Sequence, residues 1–233
     1  MTKKNLIVLD IDDTLTKSEE KHTSALLHAL KYFDITEIDT DWRNYQNATD
    51  SYIFSVNYEK THKKTFSFDL IEEFEKVMTE HFLTFPDTIE LNGAQTIVDY
   101  FINETNYAVC FATGSILQPA YLKLQQASIH LIPEVLESSN NIFTREGIVK
   151  SAIEKAKSYY EVNNFEHIIS FGDGLWDVTT AQNLDIHFVG VNDKNIADFN
   201  KMNIKHHISN WDNFSLAETE KKLGIPSTTS IQL

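Results

Sequence analysis

The residues best suited to chemistry fall in three short polar clusters, each directly after an apolar run. Asp10-Ile11-Asp12-Asp13-Thr14 follows Leu6-Ile7-Val8-Leu9, Thr113-Gly114-Ser115 follows Val109-Cys110-Phe111-Ala112, and Gly172-Asp173-Gly174-Leu175-Trp176-Asp177 follows Ile168-Ile169-Ser170-Phe171. A carboxylate two residues from another on a turn leaving a strand can divide a reaction: one oxygen attacks phosphorus while the other carboxyl handles the leaving group's proton. A hydroxyl and backbone amides at a helix start, which Thr113 and Gly114 would supply, make a phosphate cradle. Taken singly, each cluster is also an ordinary turn that caps a helix. Taken jointly, two strand ends that each carry a pair of carboxylates call for a cation, because burying like charges together is costly. The all-oxygen ligand set suits a hard divalent ion, magnesium before others. No Cys or His cluster points to zinc, and His206-His207 reads as part of a minor strand or loop.

Positioning these clusters requires strands that end at one edge of a sheet. Five short apolar runs read as strands: Asn5 to Asp10, Tyr107 to Ala112, Ile129 to Ile132, His167 to Phe171 and Ile186 to Val191. Helical spacing marks the stretches Ile116 to Ala127 and Ile148 to Tyr159 between them. Alternation of strand and helix predicts an α/β fold with a doubly wound parallel sheet, Rossmann-like, whose ligands gather at the carboxyl ends of the strands. The connection between the first two strands is too long for a bare loop and carries helical stretches at Glu19 to Phe33, Asp41 to Val56 and Phe68 to Phe85. It reads as an all-helical module over residues 16–87, inserted into a core made of residues 1–15 and 88–233, with the helix Asn92 to Asn103 leading back in. Its many aromatics are expected to pack that module, with one or two available to line a cleft. The tail after Gly224 reads as frayed.

The bulk numbers narrow the function. A chain of 233 residues can bury a substantial core. With 34 acidic against 20 basic side chains and a formal net charge of −14, nucleic acid is a poor partner. A small anion remains compatible, because a local cation can reverse the potential inside one cleft. No apolar run approaches the ~20 residues that span a bilayer, and the run after Lys4 is too short for a signal peptide. A cytoplasmic protein without a membrane partner is expected, its single cysteine, Cys110, a packed thiol.

In order, spacing and strand context the three clusters resemble the motifs of the haloacid dehalogenase-like (HAD) superfamily, in its phosphoglycolate phosphatase-like branch with a helical cap of the C1 type. The likeness runs from Leu6 to about Val191. It implies a magnesium-dependent phosphatase in which Asp10 is the nucleophile and Asp12 the general acid and base. The metal would be held by Asp10, the Asp12 main-chain carbonyl and Asp173, with Asp177 binding it through water or orienting the site cation, and the phosphoryl group by Thr113 and Gly114. The inserted module stands where the family carries its cap. The family's site cation has two candidates here. Arg145 at the expected helix start fits the family's placement better than Lys150, five residues further on. Thr49 and Asp50 stand where related caps read the substrate, and Arg43 could also face the cleft. The expected partner is a small phosphorylated metabolite, and the expected assembly a monomer or homodimer.

The resemblance also frames the rivals. Asp12 argues against a hydrolytic dehalogenase and against a phosphonate hydrolase, which has a small residue at that position. A phosphomutase or phosphotransferase would use the same aspartyl-phosphate. A non-catalytic phospho-acceptor module of the response-regulator kind would lack the long insertion.

Overall fold

Every residue of two apolar runs, Asn5–Leu9 and Tyr107–Ala112, is buried in the computed structural model, which describes residues 2–204 and 206–226. Strands buried along their whole length have both faces covered, and so read as continuous apolar runs rather than alternating ones. The strands in chain order are β1 (Asn5–Leu9), β2 (Thr16–Lys17), β3 (Ile89–Glu90), β4 (Tyr107–Ala112), β5 (Leu136–Glu137), β6 (Ile168–Gly172), β7 (His187–Val191) and β8 (His207–Ile208). The α-helices are α1 (Glu19–Tyr32), α2 (Asp50–His62), α3 (Leu70–Phe82), α4 (Ala94–Glu104), α5 (Leu117–Gln126), α6 (Arg145–Tyr159), α7 (Leu175–Asn183), α8 (Ile196–Lys201) and α9 (Leu216–Leu223).

Six strands form one sheet in the order β5-β4-β1-β6-β7-β8, parallel throughout. The chain runs outward from β1 through β4 to β5, then returns to the other side of β1 to lay down β6, β7 and β8. The reversal leaves a crevice at the carboxyl end of β1, flanked by the ends of β4 and β6. The expected α/β doubly wound sheet is therefore the observed architecture. A second apolar cluster lies outside the sheet, where α1, α2 and α3 bury Leu26, Leu30, Phe54, Phe74, Met78 and Phe82, with Phe54 and Phe74 stacked at 4.2 Å. Ile116, at the start of α5, belongs to this cluster, so the helices rest on the sheet's own layer. The chain leaves and re-enters the sheet unit through β2 and β3, which pair antiparallel.

Two expected elements differ. Ile129 to Ile132 is not a strand: Ile129 and Ile132 are buried in a loop, and the edge strand β5 begins at Leu136. An apolar tetrapeptide without alternation does not distinguish a strand from a loop plugged into the core. The expected helix Asp41 to Val56 is broken into a 3-10 turn at Trp42–Asn44 and α2. Asp41 accepts the Arg43 N–H at 3.2 Å, a local turn that competes with helix, and Thr49 is extended. Ile225 is buried in the main core, while the rest of the tail expected to fray lies outside the described residues, save Pro226.

The turn after β1 is anchored from the far end of the chain. The buried Trp211 indole donates to the Thr14 carbonyl at 2.8 Å and packs its ring against Phe101, Phe171 and Phe214. Trp211→Phe would keep most of the packing but orphan the carbonyl, at a cost of about 1–3 kcal/mol. Urea unfolding should show a lower midpoint with an unchanged slope; an unshifted midpoint would mean that the bond adds nothing.

Candidate active site

Asp10 stands one residue beyond β1, and the chain turns sharply after it. Asp13 takes a left-handed backbone, φ 52°, donating its N–H to the Thr16 carbonyl at 2.8 Å. Aspartate tolerates that conformation better than most side chains. Two asparagines from the segment after β7 brace the neighbouring turns. Asn192 donates to the Asp13 carbonyl at 3.3 Å, and Asn195 to the Asp173 carbonyl at 2.9 Å.

Asp10, Asp173 and Asp177 are buried, and one carboxylate oxygen from each lies within 4.8 Å of the others. Gly172 makes this possible: a Cβ there would come within 2.6 Å of the Asp177 side chain. Asp177, in the first turn of α7, also accepts the Gly174 N–H at 3.0 Å. Arg145, the first residue of α6, points back past its helix start to reach Asp10 at 3.2 Å and Asp177 at 3.5 Å. Its guanidinium also lies 5.6 Å from the Trp176 ring centroid and donates to the Ala48 carbonyl at 3.1 Å. Gly114 permits that crossing, because a Cβ there would stand 2.6 Å from the guanidinium and 2.8 Å from the Ala48 oxygen.

One arginine does not balance three buried carboxylates. Burial and the neighbouring Asp177 push the Asp10 carboxyl up to about 8 against the pull of Arg145. Burial, Asp10 and Asp177 hold Asp173 well above the usual carboxylate range. Buried carboxylates that resist ionising in a cluster this tight are what a hard divalent cation would relieve, and the donor set is all oxygen. The residues therefore fit such an ion.

Asp12 has a different environment. Burial would raise its carboxyl, yet Lys123 and His22, with hydrogen bonds from Lys123 and Ser18, bring it down to about 2. Lys123, fully buried, donates to Asp12 Oδ2 at 2.6 Å, meets His22 Nδ1 at 2.9 Å and reaches Ser115 at 3.3 Å. Ser18 donates to the other Asp12 oxygen at 2.5 Å. His22 Nε2 lies 3.0 Å from Asp50, whose second oxygen accepts the Ile116 N–H at 3.0 Å and whose own N–H donates to the Gly114 carbonyl. A continuous polar path thus runs from Asp12 through both units.

The cleft over these groups holds roughly 590 Å³ of empty space, its open mouth included. Asp10, Asp12, Asp50, Gly114, Asp173 and Arg145 line it. Thr113 is buried at the end of β4, its hydroxyl accepting the Ser115 N–H at 3.1 Å, and Ser115 rather than Thr113 faces the cleft. Thr49 is buried and donates to the Phe143 carbonyl at 2.8 Å, away from the lining. Lys150 is exposed and makes no hydrogen bond or ion pair among the described residues, as its position about 140° round the helix from Arg145 requires. Arg43 is exposed and paired to Asp41 at 2.7 Å.

Lys123, His22, Ser18, Asn192 and Asn195 were not singled out from sequence. Lys123 did leave a signal: with Ile116, Ala120 and Ala127 it occupies the buried stripe of α5, where a lysine is out of place unless paired.

Residues 7–191 match the haloacid dehalogenase-like hydrolase family. The chain belongs to that family. Its fold is shared with a HAD hydrolase of Entamoeba histolytica, at 14% identity and a TM-score of 0.69, over 94% of this chain and 99% of that one. A beta-phosphoglucomutase of Clostridium difficile is similar at 13% identity and 0.63, over 96% and 98%. A predicted phosphoglycolate phosphatase of Haemophilus somnus is similar at 14% identity and 0.60, over 91% and 96%. No curated protein matches the sequence. Among the described residues no helix is long and apolar enough to cross a membrane.

A divalent cation that fills the Asp10–Asp173–Asp177 cluster should stabilise the fold by mass action, by about 2.7 kcal/mol at a hundred times its dissociation constant. Thermal melting with increasing Mg2+ or Mn2+ should move upward for the wild type and stay flat for Asp173→Asn. A wild-type curve unmoved at millimolar cation would rule the cluster out as a metal centre.

Proposed function

We propose that this HAD-family hydrolase is a magnesium-dependent phosphatase of the cytoplasm that cleaves a small phosphate monoester through an aspartyl-phosphate on Asp10. The observation that carries the reading is the contrast between two carboxylates on one turn. Asp10 faces the cleft between Arg145 at 3.2 Å and the Thr14 hydroxyl at 3.4 Å, with buried carboxylates beside it. Asp12 has its own lysine. Burial and its acidic neighbours hold the Asp10 carboxyl up, so the ionised nucleophile depends on the divalent ion that the cluster fits, while Asp12 is set apart from that cluster by its own pair.

In the first half-reaction an Asp10 oxygen bonds to phosphorus as the bond to the ester oxygen breaks, and Asp12 supplies the proton that the departing oxygen needs. In the second, Asp12 takes a proton from water as that water attacks phosphorus, releasing phosphate and freeing Asp10. Lys123 and His22 favour the ionised Asp12 that the second step uses. They oppose the protonated form that the first step uses. Arg145 holds Asp10 and is placed to meet phosphoryl oxygens. Magnesium, held by Asp10, the Asp12 carbonyl, Asp173 and Asp177, would shield the phosphoryl charge from the nucleophile. The helices α1 to α3 act as a cap that excludes bulk water, with Asp50 and His22 as its contact with the chemistry.

Hydrolysis is favoured over the mutase reading by the charge of the cleft. A phosphomutase passes through a bisphosphate whose far phosphate also has to be held. Among the described lining residues Arg145 is the one Lys or Arg, and it is committed to Asp10 and Asp177.

Phosphate release from a panel of monoesters, with and without magnesium, should depend on the metal and fall by roughly 10⁴-fold or more in Asp10→Asn, with an unchanged circular dichroism spectrum. Retained magnesium-dependent turnover in that variant would sink the assignment.

A further inference from the structure

Besides the carboxylates and Arg145, the lining of the cleft includes Thr23, Leu26, Trp42, Ala48, Ile53 and Trp176. One tryptophan comes from the helical unit and the other from the sheet unit, so a leaving group held there meets an aromatic surface contributed by each. The charged side chains around this wall are acidic or already engaged. Asp50 and Glu19 line it. Lys194 is shared between Glu19 and Asp13, two carboxylates of the lining on one ammonium. Lys21 donates to the Pro86 carbonyl, Thr88 and Gln126 at 2.9, 3.2 and 2.9 Å. Arg43 is held by Asp41 in a two-bonded fork, both bonds at 2.7 Å. Lys123 is buried beneath the cleft on Asp12. Among the described lining residues the basic side chains are Arg145, held by Asp10 and Asp177, and His22, held between Asp50 and Lys123, so none is free to receive a second anionic group on the substrate.

Like charges brought together at a binding surface cost several kcal/mol, and the net charge of −14 adds a long-range term of the same sign. Aromatic side chains give flat, apolar contact area at low entropic cost. We propose that the natural substrate is the phosphate monoester of an uncharged, ring-bearing alcohol or phenol, whose ring lies against Trp42 and Trp176. Esters that carry a carboxylate or a second phosphate near the reacting one are rejected. The inference rests on the phosphatase reading and adds the chemistry of the leaving group to it.

The test is a set of matched esters given to the magnesium-loaded enzyme: phenyl phosphate against 4-carboxyphenyl phosphate, and glycerol phosphate against phosphoglycerate. The uncharged member of each pair should have the higher kcat/KM by about tenfold or more, and phenyl phosphate should exceed glycerol phosphate. Trp42→Ala should shrink the phenyl-to-glycerol ratio through KM, and Thr23→Lys should move both charge ratios toward the carboxylated esters. Ratios near one, or a preference for the carboxylated esters, would overturn the inference while leaving a magnesium- and Asp10-dependent phosphatase in place. No release from any ester, with no phosphate trapped on Asp10, would remove the phosphatase reading itself and this inference with it.

Discussion

Four carboxylates crowd the ends of two adjacent parallel strands, and most of the architecture answers to the cost of placing them there. Asp10, Asp173 and Asp177 converge because β1 and β6 are neighbours and because Gly172 leaves room for a side chain to fold back beneath the strand end. Two cations face them from different directions. Arg145 comes from a helix start and serves Asp10 and Asp177, while Lys123 comes from the middle of a helix and serves Asp12. The remaining excess of negative charge is what makes a divalent ion fit. An apolar core of the same shape would be easier to fold, so the cluster is explained by chemistry rather than by stability.

The sheet was legible because its strands are buried on both faces, so that β1, β4, β6 and β7 stand out as unbroken apolar runs between polar turns. Asp10, Asp12, Asp173 and Asp177 were legible for the same reason, since each follows a run whose end is easy to see. The edge strand was not: β5 is two residues long, and the more apolar Ile129 to Ile132 nearby is core-plugging loop. The break before α2 was hidden because Asn47-Ala48-Thr49 carries no proline or glycine. The tertiary contacts of Thr49 and Asp50 fix where α2 begins.

The partners of Asp12 lay deeper. Lys123 and His22 are more than a hundred residues apart and on different units, and neither is near a recognisable turn. What brings them together is the packing of α1 on α3 and of α3 on α5, which depends on the apolar clusters rather than on any local pattern. The choice between Arg145 and Lys150 shows the opposite case, where helical geometry alone sends only one of the two toward the strand ends.

The pairing of β2 with β3 has a consequence for how such a protein changes over time. Entry to and exit from the helical unit lie side by side, so the unit can be lengthened, shortened or exchanged without disturbing the register of β1, β4 and β6. Reaction and recognition are thereby free to diversify separately, except where side chains cross between the units. Lys123 belongs to the sheet unit but meets His22 of the helical one, and His22 in turn meets Asp50. A transplanted helical unit that lacked this histidine would leave a buried ammonium with one partner fewer. That line of shared charge, with the bonds from Arg145 to the Ala48 carbonyl and from Thr49 to the Phe143 carbonyl, ties the helical unit to the sheet at the site itself.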